Sequence, residues 1–106
     1  MTTSTSKHAY NDCFSLYDRA LAAQYGVRVP FPTRGAAQQF YVRMHSARII
    51  SRRESMEVYP SDDPAYGTSP YDILVVRQPV EAEGQWYLYV EPRVVKGEIE
   101  ELGAAE

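Results

Sequence analysis

The chain has 106 residues, room for one domain and one hydrophobic core but not for two. A hydrophobic share of 44% with 12% aromatics excludes a disordered chain, and no apolar run approaches the roughly 18 residues that a membrane span needs. The net charge of −3 hides a division: residues 1–53 carry eight Lys/Arg and two Asp/Glu (+6), residues 54–106 three and twelve (−9).

Such asymmetry points either to a charged partner and an acidic tail or to two halves that each solvate their own surface. The single cysteine, Cys13, cannot form an internal disulfide, which favours a reducing compartment. Met1 to Ser6 is polar and lacks the apolar core of a signal peptide, so a cytoplasmic location is expected, that of the host if the protein is phage-encoded. The whole chain reads as one domain, 1–106, with 1–6 and 103–106 expected to be flexible.

A first helix is predicted from about Ser6 to Tyr25, because Tyr10, Cys13, Phe14, Tyr17, Leu21 and Tyr25 step by three and four. Gly26 follows where a left-handed cap belongs. Val27 to Pro32 is extended, since Pro30 and Pro32 forbid helix and Phe31 is expected to pack inward. Thr33 is an N-cap for a second helix over Arg34 to Glu54, with Ala36, Phe40, Met44, Ala47 and Ile50 as its core stripe.

Val58 to Pro70 is a surface loop by its prolines, Gly67 and the pair Asp62-Asp63, with Tyr59 and Tyr66 expected to pin it to the body of the domain. Two strands follow, Tyr71 to Gln78 and Gln85 to Glu91, joined by a long hairpin loop from Pro79 to Gly84. Pro92 ends the second strand or puts it at an edge. Val94 and Val95 can form one further short edge strand, paired with residues 27–29, and Ile99 and Leu102 can support a short helix in the acidic tail. The fold class is therefore α+β, two helices followed by an antiparallel β-hairpin.

Catalytic machinery is hard to assemble from these residues. The only histidines are His8 and His45, Cys13 belongs to an apolar helical stripe, and no Cys/His spacing resembles a zinc site. Asp62 and Asp63 alone make a weak metal site, and no glycine-rich phosphate loop is present. Neither an enzyme nor a cofactor is expected.

The feature that stands out is a second line on the long helix. Arg34, Gln38, Tyr41, His45, Arg48 and Arg52, with Arg53 beside them, repeat at three and four in a stretch without an acidic residue from Arg19 to Glu54. Arginine grips phosphate or carboxylate with a planar fork, while a ring can stack on a base, which is what a single nucleic-acid strand offers. Three readings of this face stay open: an anion-binding surface, a solvated helical face, or internal pairing with Glu98, Glu100 and Glu101. Seven residues with two prolines separate the helices, too many for a helix-turn-helix, and Glu81 and Glu83 at the hairpin tip would repel phosphate.

The run from Ala37 to Arg53, taken with Tyr71 to Arg77, resembles small accessory proteins of phages and mobile elements, anti-CRISPR proteins among them. That resemblance implies binding to a host CRISPR defence complex or to its DNA, and assigns no residue a role. Single-stranded nucleic acid or a host nucleoprotein complex is the expected partner, for a monomer or a homodimer with no membrane. The alternative is a protein-binding inhibitor or interaction module that uses its acidic, tyrosine-rich surface.

Overall fold

The computed structural model describes residues 8–93. The predicted edge strand at Val94-Val95 and the tail helix around Ile99 and Leu102 lie outside the described residues. Among these, no helix is long and apolar enough to cross a membrane.

The first helix, α1, runs Asn11–Ala22, with Asp12 in its first turn and Arg19 in its last, each opposing the local end of the helix dipole. Cys13, Phe14, Tyr17 and Ala20 are its buried face. Leu21 and Tyr25, expected inside, are instead 39% and 81% exposed, because the chain turns away at Ala23 and no described element covers them. Gly26 lies beyond the helix end, with φ +88, in the turn that feeds the first strand. It must be glycine there, since a Cβ would run into the Val90 carbonyl oxygen.

Strand β1 is Val27–Phe31, and the long helix α2 is Arg34–Val58. Thr33 caps α2 as expected, its hydroxyl accepting from the Ala36 N–H at 3.1 Å. The helix continues one turn past Glu54, and its buried residues are Ala37, Met44, Ala47, Arg48 and Ser51. Phe40 and Ile50 pack half-buried against the same core.

After α2 the chain makes successive turns to Ser69. Tyr59 and Tyr66 are 42% and 38% exposed, so the loop is not held by buried rings alone. Hydroxyls hold it as well: Ser55 Oγ accepts from Gly67 N at 2.8 Å, and the buried Ser51 and Ser69 hydroxyls are 2.8 Å apart. The predicted strand from Tyr71 begins as a 3-10 turn, Pro70–Ile73, fixed by a reciprocal cap between Ser69 and Asp72. Strand β2 is Leu74–Val76 only.

The stretch read as a long hairpin loop holds a further strand, β3, Val80–Ala82, leading into β4, Gln85–Pro92. The turn between them is just Glu83 and Gly84, at φ 56 and 81. Both angles are positive, as a type I′ hairpin turn requires. β4 is the centre of the sheet: β1 pairs along one side from Val27↔Val90 to Phe31↔Trp86, and β2 and β3 share the other. All pairings are antiparallel. The architecture is α+β, with two helices and a four-stranded sheet.

Side chains alternate across β4, so Leu88 and Val90 enter one core cluster with Phe14, Tyr17, Met44 and Ala47. Both helices therefore pack on one face of the sheet. Tyr87, Tyr89 and Glu91 project from the other, which no described element covers.

Candidate interaction surface

The arginine line of α2 does not form one open face. Arg48 is only 6% exposed. Its Nη2 donates to the Leu74 carbonyl at 2.9 Å and its Nε to the Tyr17 hydroxyl at 3.4 Å. Tyr17 in turn donates to the Met44 carbonyl at 2.7 Å and stacks on Tyr71 with centroids 4.7 Å apart. One turn further on, Arg52 places Nε and Nη2 at 3.0 and 2.8 Å from Asp72 Oδ1. Burial works to raise the Asp72 pKa, but the Arg52 bond and the Ser69 N–H outweigh it and hold the carboxyl below its ordinary value. Arg48 and Arg52 thus clamp the turn that leads into β2, Arg48 from within the core and Arg52 through Nε and Nη2, with its side chain 43% exposed.

The rest of the predicted set is scattered. Tyr41 packs half-buried on the core and meets His45 edge-on, with centroids 4.6 Å apart. Burial, then the neighbouring Arg48, pushes the His45 pKa below 6.5, so this ring stays neutral at pH 7 and adds no charge. Gln38 is half-buried; Arg34 and Arg53 are exposed cations near opposite ends of α2, about 28 Å apart at 1.5 Å per residue. Arg34 lies 5.9 Å from the Trp86 ring centroid. Arg43, outside the predicted set, is bonded to both Asp12 oxygens at 2.7 and 3.0 Å and to the Ala9 carbonyl. The predicted partners Glu98, Glu100 and Glu101 lie outside the described residues; Asp72 supplies the pairing that is seen.

The open sheet face brings together residues that the sequence kept apart. Arg28 on β1 stands opposite Tyr89 on β4, and Pro30 opposite Tyr87. The Arg28 guanidinium lies 4.0 Å from the Tyr87 centroid and donates to the Tyr89 hydroxyl at 3.3 Å. The two tyrosine rings are 6.3 Å apart. On the far side of β4, Arg77 pairs with Glu91 at 3.1 Å. A shallow depression of about 500 Å³ opens where β2 gives way to β3, lined by Arg77, Gln78, Val80, Tyr89 and Glu91. The face is aromatic and arginine-bearing, yet its charges come in both signs.

Sequence reasoning had the signal for this face, the alternation of Tyr87, Leu88, Tyr89 and Val90, but not the partner strand that adds Arg28 to it. The signal for burial of Arg48 was also present: with Met44, Ala47 and Ser51 it completes the three-and-four step of one helical face.

Cys13 is fully buried, and burial with the adjacent Asp12 carboxylate pushes its thiol up to about 12, so it is a packed side chain and not a nucleophile. Among the described residues no group of three or more His, Cys, Asp or Glu is placed to hold a metal ion. No family model, curated protein or solved structure matches this chain.

Proposed function

We propose that this is a non-catalytic interaction module that binds a protein partner through the open face of its sheet, with Tyr87, Tyr89 and Arg28 at the centre. The observation that carries the reading is the packed Arg28–Tyr87–Tyr89 group on a sheet face with no described element over it. Tyrosine and arginine are the residues that dominate protein interfaces, because each combines large contact area with a directed polar tip. The guanidinium is already placed over the ring, so less side-chain freedom is lost on docking.

Magnitude disfavours α2 as a nucleic-acid site. Arg48, Arg52 and Arg43 are engaged within the protein, which leaves Arg34 and Arg53 as open cations at the two ends of α2. Two neutralised phosphates give a single-strand salt slope of about −1.4, or about a sevenfold loss between 50 and 200 mM salt. That is too little for α2 by itself to hold a strand firmly. Single-stranded nucleic acid is the second reading, supported by two tyrosines two residues apart on the central strand, on which bases can stack. The resemblance to phage accessory proteins makes a host CRISPR complex the first partner to try.

Capture of that complex is to be compared for the wild-type chain, Tyr87→Ala/Tyr89→Ala and Arg34→Glu/Arg53→Glu, with single-stranded DNA binding measured in parallel by fluorescence anisotropy. The proposal expects the tyrosine variant to lose the complex and the arginine variant to keep it. Loss confined to the arginine variant, with salt-sensitive DNA binding, would return the function to the helix. DNA binding lost only in the tyrosine variant would favour the second reading.

A further inference from the structure

The outer side of α2, turned away from the buried Ala37, Met44, Ala47 and Ser51, carries an apolar line of its own. Val42, Ile49 and Met56 follow one another there at intervals of seven, each between 46% and 53% exposed, and no described helix or strand lies over them. An exposed apolar repeat of seven is the seam of a two-helix contact, in which each side chain enters a hole between residues of the facing helix. Gly35, seven residues before Val42, extends the line and leaves such a hole. A Cβ at Gly35 would meet nothing within 4 Å, and a shallow depression of about 610 Å³ opens there, lined by Gly35, Gln38, Gln39, Val42 and Arg43.

Reversed, this line is its own complement. In an antiparallel pair of α2 helices centred between His45 and Ser46, Val42 comes level with Ile49 of the second copy. Met56 comes level with the second copy's Gly35, so the large side chain meets the hole. Both pairs repeat through the twofold axis, as a self-complementary contact requires. A parallel pair would instead set Met56 against Met56 and leave the two Gly35 holes facing each other.

The helix ends select the same direction. α1 has an acid in its first turn and a base in its last, whereas α2 has neither. Arg34 and Glu57 stand in those turns of α2 instead, each at the like-signed end of its own helix dipole. Residues 34 and 57 are level in the antiparallel pair, so each Glu57 lies at the N-terminal end of the second copy's helix and each Arg34 at its C-terminal end. The dipole favours both charges there. We propose that the outer face of α2 is a self-association surface, an antiparallel contact with a second copy of this chain. Because α2 packs on the opposite side of the sheet, the contact leaves the Arg28–Tyr87–Tyr89 face of each copy open.

The test is sedimentation velocity of the full chain across a concentration series. One helix per copy makes a small interface, so the dimer should be transient, with a dissociation constant on the order of 10–100 µM. Ile49→Glu should weaken it by at least about 30-fold, since each copy loses half-buried apolar area and the loss counts twice. Its far-UV circular dichroism should match that of the wild type, because the position is exposed. Glu57→Lys should weaken the dimer about fivefold without lowering the melting temperature of the monomer. Direction is read by oxidising an equimolar mixture of Val42→Cys and Ile49→Cys chains and weighing the products: the mixed disulfide should form ahead of either self-linked one. Tyr87→Ala/Tyr89→Ala should leave association unchanged. A monomer up to about 500 µM, a dimer indifferent to Ile49→Glu or to Glu57→Lys, faster self-linking of Val42→Cys, or a dimer lost in the tyrosine variant would each overturn the proposal.

Discussion

Replacing Arg48 with alanine tests whether α2 carries a ligand-binding stripe or an internal clamp. The Arg48 bond to the Leu74 carbonyl, 2.9 Å long and buried, has a charged donor, a kind that contributes about 1.5–3 kcal/mol. Truncation also removes the aliphatic stem packed beside Tyr17, at about 0.8 kcal/mol per buried methylene. Against these losses stands the solvation recovered when a buried cation is removed. The net expectation is a loss of about 2–4 kcal/mol, large for a domain whose whole stability is about 5–15 kcal/mol. In urea, with a slope of roughly 1–1.5 kcal/mol/M, the unfolding midpoint should fall by about 2 M. Exposed Arg53→Ala, the control, should stay within about 0.5 kcal/mol of wild type. An Arg48→Ala protein that unfolds at the wild-type urea concentration would refute the clamp, and loss of ligand binding at unchanged stability would restore the stripe.

Three further outcomes follow from the same geometry. Glu83 holds φ 56 in the two-residue turn, so Glu83→Asn should raise stability by about 0.5–1 kcal/mol in thermal unfolding; an unchanged or lower midpoint would count against the type I′ assignment. Gly26→Ala should cost at least about 2–3 kcal/mol, through positive φ and collision with the Val90 carbonyl; a soluble variant with wild-type melting would show that β1 and β4 do not approach there as described. The His45 pKa is depressed in the folded chain, so the unfolded chain binds the extra proton first. Its contribution is full above pH 6.5 and is lost as pH falls through the folded value, whereas Asp12 and Asp72, also depressed, act only below 3.8. Stability should therefore fall in two stages on acidification, and His45→Gln should remove only the first.

Much of the local structure was legible because it depends on neighbours in the chain. The Thr33 cap, the start of α2, the extended Val27–Phe31 segment and the Gln85–Pro92 strand follow from capping chemistry, proline and alternation, each acting over a few residues. Cys13, Phe14 and Tyr17 could be placed in the core for the same reason. Where local signals are mixed, the structure departs from the sequence pattern. Proline and glutamate made Val80–Ala82 look like loop, although pairing with β4 makes it strand, and a dipeptide not usual for a hairpin hid the tight turn at Glu83-Gly84.

The candidate surface depended on distant pairings that no local pattern encodes. Periodicity put Arg48 and Arg52 on a line, but a helix has several such lines, and which of them faces solvent is set by what packs on it. Here the turn carrying Asp72 and Leu74 does so, 20 and 26 residues away in sequence, because it offers a carboxylate and a carbonyl to guanidinium groups that packing would otherwise leave unpaired. Likewise the tyrosine alternation of β4 announced a two-faced strand, while its pairing with β1 decided that an arginine would lie over those rings. Charge, periodicity and capping belong to the sequence; which arginines remain available to a partner is decided by the long-range contacts that satisfy the others first.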